Sequence, residues 1–140
     1  MSLHVQTAFL PHTDPEASLA FYRDVLGFEV ANDVSYGDMR WITLKPAGVD
    51  PDAPFAHLVL EPPATDPTLT DEERQTILQL IAKGSYAGIQ LQTDDLDGFF
   101  ERVEAAGADI VQEPMEQEWG ARDCALRDPA GSLIRVAEAR

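Results

Sequence analysis

Apolar and polar positions along this chain switch period several times, and each switch marks an element. From His4 to Leu10 they alternate, which predicts a half-buried strand ended by Pro11. Thr13, Pro15 and Glu16 then read as a helix start, with Thr13 as the cap, Glu16 reaching back from three residues on, and Pro15 tolerated in the first turn. Leu19, Phe21, Tyr22, Val25 and Leu26 recur at helical spacing, so a helix is predicted over Ala17 to Leu26, with Gly27 as its exit. Three strands follow, Phe28 to Val34, Met39 to Leu44 and Phe55 to Leu60, parted by Gly37 and by the Pro/Gly/Asp-rich loop Pro46 to Pro54.

Pro62 to Pro67 carries no periodicity and reads as a linker. Thr70 and Glu73 have capping-box spacing, and Ile77, Leu78 and Ile81 give a short helix an apolar face before Gly84. Alternation resumes from Tyr86 to Thr93. Asp94 or Asp95 caps a helix whose apolar face is Leu96, Phe99, Phe100, Val103 and Ala106, and Gly107 ends it. Ala108 to Val111 begins a strand, and Pro114 to Gly120 reads as a loop. Two arms then alternate about Asp128-Pro129-Ala130-Gly131, where Pro129 presets a turn and Gly131 tolerates positive φ: a hairpin.

Both halves therefore read β-α-β-β-β, a repeat of about 60 residues legible in element order more than in identity. The expected fold is α+β: two βαβββ modules forming a curved mixed sheet, each with one face covered by its helix, side by side around a cleft. Residues 1–140 are expected to make a single domain, with module 1 over about 1–62, a linker with its short helix over 63–84 and module 2 over 85–140.

At 140 residues the chain can bury roughly two-thirds of its unfolded surface, enough for a proper core. The net charge of −15 disfavours nucleic acid and anionic membranes, which bind mainly through Lys and Arg, and would tolerate a cationic ligand. No apolar run approaches the ~18 residues of a membrane span, so the expected location is cytoplasmic. One cysteine, Cys124, excludes an intramolecular disulfide framework. Its place on a strand favours a small buried core residue over a lone nucleophile.

The phrase from Ala17 to Phe28, ASLAFYRDVLGF, the second helix from Asp95 through Ala108, and Trp119-Gly120-Ala121-Arg122 with Asp128-Pro129-Ala130-Gly131 together resemble the vicinal oxygen chelate superfamily, which contains glyoxalase I, bleomycin-resistance proteins and extradiol dioxygenases. The resemblance spans nearly the whole chain outside Pro62 to Gly84. It implies metal-ligand positions on the first and last strand of each half, which fall on Gln6, Glu61, Gly88 and Arg135. That set is not the family's usual one. Gln6 is a weak ligand and Glu61 a good one, but Gly88 has no side chain, and Arg135 is a permanent cation that only donates. Arg135 and Glu61 are instead expected to pair across the cleft, as a structural plug or as a site in which Arg135 holds a ligand oxygen and Glu61 acts as a base.

An alternative metal set would draw on His4, Gln6, His57 and Glu61. His57 and Glu61, four residues apart on a strand, are separated by about 13 Å and cannot grip one ion unaided. His12, in the loop before the first helix, is expected in solvent. Trp41 reads as a core residue or a ligand contact, and Trp119 as a cleft or subunit rim residue, with Tyr36 and Phe55 nearby.

The expected function is binding of a small molecule, without a metal or other cofactor and nearest the bleomycin-resistance branch, sequestering a hydrophobic or cationic compound. Gln6, Trp41, Glu61, Trp119 and Arg135 are its expected contacts. The alternatives are a metal-dependent lyase, epimerase or dioxygenase with noncanonical ligands, and a metal-free acid/base enzyme that uses Glu61. A homodimer is expected, because the family closes its clefts within one chain or across two.

Overall fold

The computed structural model describes residues 1–50, 52–53 and 56–139. Strand β1 (Thr7–Pro11) leads to α1 (Pro15–Leu19), which continues as a wider-pitched segment, Ala20–Val25. Strands β2 (Glu29–Tyr36), β3 (Met39–Lys45) and β4 (His57–Glu61) complete the first module. Helix α2 (Asp71–Lys83) connects it to β5 (Gly88–Thr93), α3 (Leu96–Ala105), β6 (Asp109–Glu116), β7 (Arg122–Arg127) and β8 (Leu133–Glu138). Each module makes a four-stranded mixed sheet, in the orders β1-β4-β3-β2 and β5-β8-β7-β6. In each, the first and last strands run parallel and the other neighbours antiparallel.

The repeat extends to the irregularities. The β2/β3 register shifts between Val30 and Asn32, and the β6/β7 register shifts at the corresponding place, between Ile110 and Gln112. One face of each sheet is apolar: Leu10, Ile42, Leu44, Leu58 and Leu60 in the first, Cys124, Leu126, Ile134 and Val136 in the second. These residues join Leu19, Phe21, Tyr22, Leu96 and Val103 from the helices in one buried cluster, so the two modules share a core. Cys124 sits inside it, and burial pushes its thiol up to about 11, which leaves it protonated and inert at neutral pH.

Several local expectations change. Asp14, not Thr13, caps α1, accepting from the Ala17 amide at 3.2 Å. The predicted regular helix instead widens after Leu19, with the Leu26 amide donating to the Phe21 carbonyl five residues back at 2.9 Å. The widened stretch carries Phe21 and Tyr22, neighbours in sequence that are both buried and pack edge to face at 5.0 Å. β1 starts at Thr7 because β4, its parallel partner, starts at His57 opposite it. Phe55, predicted to open β4, lies outside the described residues. β6 runs on through Pro114 to Glu116, where a loop was expected. Pro114 is tolerated there because β6 is an edge strand and its register shifts between Gln112 and Met115. The linker helix has the capping box read from its sequence, with Thr70 and Glu73 bonded reciprocally, and Asp95 is the cap of α3.

The turn at Asp128 ties the modules together. One carboxylate oxygen accepts from the amides of Ala130, Gly131 and Ser132 at 3.0, 3.0 and 2.9 Å, and the other accepts from the Tyr22 hydroxyl at 2.7 Å. Gly131 has φ +106°, and a Cβ there would sit 2.8 Å from the Ile81 carbonyl. Burial raises the Asp128 carboxyl against these bonds, and burial followed by the Asp128 charge raises the Tyr22 hydroxyl.

Candidate functional site

Strand alternation leaves the other face of each sheet open, and the registers arrange its residues in rows. On the first sheet Phe9, Val59, Thr43 and Asn32 form one row. The next brings Pro11 and Glu61 to the level of Trp41 and Val34. Phe9 is 56% exposed, and Trp41 is half-buried and meets the Tyr36 ring edge-on at 6.1 Å. Trp41 therefore belongs to the open face and not to the core, since its neighbour Ile42 takes the core side.

Glu61 ends β4 beside His12. Contrary to the expectation of a solvent histidine, His12 is buried and donates from Nε2 to the Arg40 carbonyl at 2.7 Å. Partial burial raises the Glu61 carboxyl, and His12 offsets part of that effect. Arg40, whose carbonyl holds His12, is itself paired with Asp33 at 2.7 Å and with Glu16.

On the second sheet the matching row is Gln90, Arg135, Ala125 and Gln112. Arg135 does not pair with Glu61. Its Nη1 donates to Asp123 at 3.3 Å and to Gln112 Oε1 at 3.2 Å. Asp123 is only 2% exposed, and its other oxygen accepts from the side-chain amides of Gln112 and Gln117 at 3.0 and 2.8 Å. Burial pulls against ionisation of Asp123, but the glutamine and arginine donors prevail and hold it below the ordinary range. Sequence reading missed Asp123 because its partners lie on two other strands and a loop. Its place on β7 next to the core residue Cys124, with successive strand side chains facing opposite ways, was the available signal. Trp119 tips the adjoining loop, 69% exposed.

The registers also revise the metal positions. Gln6 precedes β1, and Thr7, paired with His57, holds the open-face position equivalent to Gly88. Arg135 lies opposite Gln90, and its counterpart opposite Phe9 is Val59. Glu61 falls one row further on, level with Ala137. A set of Thr7, Val59, Gly88 and Arg135 does not fit a divalent ion. The alternative set is spread out, with His57 and Glu61 at opposite ends of β4 and His4 ahead of β1. Among the described residues no three His, Cys, Asp or Glu side chains are gathered as an ion would require.

Between the edge strands β1 and β5 a cavity of about 1020 Å³ opens. Leu26, Phe28, Leu58, Ile89, Leu91 and Phe99 make its apolar wall. Gln6, Thr7, His57, Gln90 and Gln92 supply neutral polar groups, and Asp94 and Arg102 the charged ones. Of the sequence candidates it gathers Gln6 and His57. Trp41, Glu61, Trp119 and Arg135 stand outside it on the open faces. Its volume is at the upper end of the ~300–1,000 Å³ typical of small-molecule sites, and a mostly apolar wall with few polar groups is their usual composition.

Paired βαβββ modules around such a cavity define a ligand-binding α+β architecture. The chain belongs to the Glyoxalase/Bleomycin resistance protein/Dioxygenase superfamily, whose sequence profile matches residues 3–136. It is similar to UcmS2, with 30% identity and a TM-score of 0.82 over 99% of this chain and 100% of that one. It is also similar to TnmS3, an antibiotic binding protein from Streptomyces sp. CB03234, with 27% identity and a TM-score of 0.72 over 99% and 98%. A bleomycin-binding protein solved with bleomycin shares the fold at a TM-score of 0.67, with 23% identity over 99% and 100% of the chains.

Proposed function

We propose that this chain is a metal-independent binding protein that sequesters a hydrophobic small molecule, acting as one domain in the cytoplasm. The cavity of about 1020 Å³ at the β1/β5 seam carries the reading, because an open cleft of that size with a mostly apolar wall and a few polar groups is the usual form of a small-molecule site. The antibiotic-binding relative supports it. The cationic ligand suggested by net charge is less well supported, since among the described residues the cavity wall carries one acidic and one basic side chain. Metal independence rests on the poor donor set at the strand positions. A homodimer, with the open faces completing the binding region, fits the exposed Phe9, Tyr36, Val111, Met115 and Trp119.

Calorimetric titration with apolar and aromatic compounds, bleomycin among them, tests the reading. Micromolar or tighter binding that is lost when Leu91→Trp fills the cavity is expected, and a chain that binds none of them is not a sequestering protein. Elemental analysis of protein purified without chelator is expected to find no stoichiometric metal. Stoichiometric Fe, Mn, Ni or Zn, lost in His57→Ala or Glu61→Ala, would overturn metal independence. A second reading, acid/base chemistry by Glu61, is supported by the raised carboxyl beside His12, and product analysis of any bound compound tests it.

A further inference from the structure

Arg102 stands in the last turn of α3 at the mouth of the cavity. Arg23, Arg40, Arg74, Arg122, Arg127 and Arg135 each have a carboxylate or carbonyl partner. Among the described residues, the guanidinium of Arg102 has none. In a chain with 25 acidic and 10 basic residues, an arginine left unpaired beside an apolar cavity is out of keeping with its surroundings. Arg102 is exposed, and its guanidinium lies beside Gly27, where a Cβ would come 3.1 Å from Nη2.

The rest of the wall sets the polarity of a guest. Asp94 precedes α3, and from Leu96 to Arg102 the helix rises about 9 Å, so the two charges that line the cavity are set apart along the helix. Leu26, Phe28, Leu91 and Phe99 lie among the residues that line the space, and among the described residues His57 is the other titratable group there. An anionic group is attracted to Arg102 and repelled from Asp94. Guanidinium presents a planar fork of donors that matches a carboxylate.

We infer that the cavity takes an apolar molecule bearing a carboxylate, with Arg102 as the anchor of that group. The inference rests on the cavity's being a small-molecule site, and it reverses the ligand charge that the acidic composition suggests.

Three matched probes test it: naphthalene carboxylate, the corresponding carboxamide and the aminomethyl analogue, titrated calorimetrically at one low ionic strength. The carboxylate is expected to bind about tenfold more tightly than the carboxamide, the scale of a hydrogen bond to a charged group, and the ammonium probe to bind weakest. Arg102→Gln should erase that advantage and leave the carboxamide within twofold, while Arg102→Lys should keep part of it. Asp94→Asn should tighten carboxylate binding slightly. A carboxamide that binds as well as the carboxylate, or a preference that survives Arg102→Gln, overturns the anchor while the binding site stands. If no probe binds, or if Leu91→Trp with an unchanged circular dichroism spectrum leaves carboxamide binding intact, the cavity reading fails and the anchor with it.

Discussion

Phe9, Val59 and Thr43 cross the open face of the first sheet where Gln90, Arg135 and Ala125 cross the second, and one row further Trp41 stands where Asp123 does. The core faces at the same levels match in kind, Ile42 with Cys124, Leu44 with Leu126, Leu58 with Ile134 and Leu60 with Val136. Even the register shift recurs. What the modules share is therefore what the common core requires, and what separates them is the side turned away from it. The first open face is apolar and aromatic with one raised carboxyl. The second is a polar network closed around a buried carboxylate.

The contrast can be broken most forcibly at Asp123. Replacing it with alanine strands the amides of Gln112 and Gln117 and takes one acceptor from Arg135, so Asp123→Ala should cost about 3 kcal/mol in urea denaturation. Trp41→Ala, at the counterpart position, removes a half-buried ring and its edge contact with Tyr36 and should cost about 1.5 kcal/mol, half the loss of a fully buried aromatic. Should Trp41 prove the costlier loss, the distinction between a locked polar face and an open apolar one is wrong.

The smallest effect is at Glu61. Burial lifts its folded carboxyl above the unfolded value, so the stability it contributes is complete in acid and is lost as pH rises through the folded value. Relative to the native chain, Glu61→Gln should therefore gain stability as pH climbs from the acid side to neutrality. A constant difference in melting temperature across that range would show the carboxyl to be unperturbed.

The sequence carries the fold because periodicity, caps and turns are local: Thr70 and Glu73, Asp95, Gly84 and the Asp128 turn all act within a few residues of themselves. The candidate site is less legible because its parts are set by pairing between strands. Glu61 and Arg135 look equivalent along the chain, yet the registers place them one row apart, and Arg135 finds its acceptor across a strand boundary in Asp123. His12, polar and in a loop, gave no local sign of the Arg40 carbonyl that draws it inward. Arg102 was hidden for the opposite reason, since an unpaired arginine on a helix surface is the ordinary case until a cavity is found beside it.

The bond from Tyr22 to Asp128 joins positions 106 residues apart. In a chain made from its N-terminus, the helical segment that carries Tyr22 keeps its buried hydroxyl without this partner until nearly the last strand has emerged. The shared core thus closes late, and the duplicated halves behave in assembly as one long-range unit and not as two quick local ones.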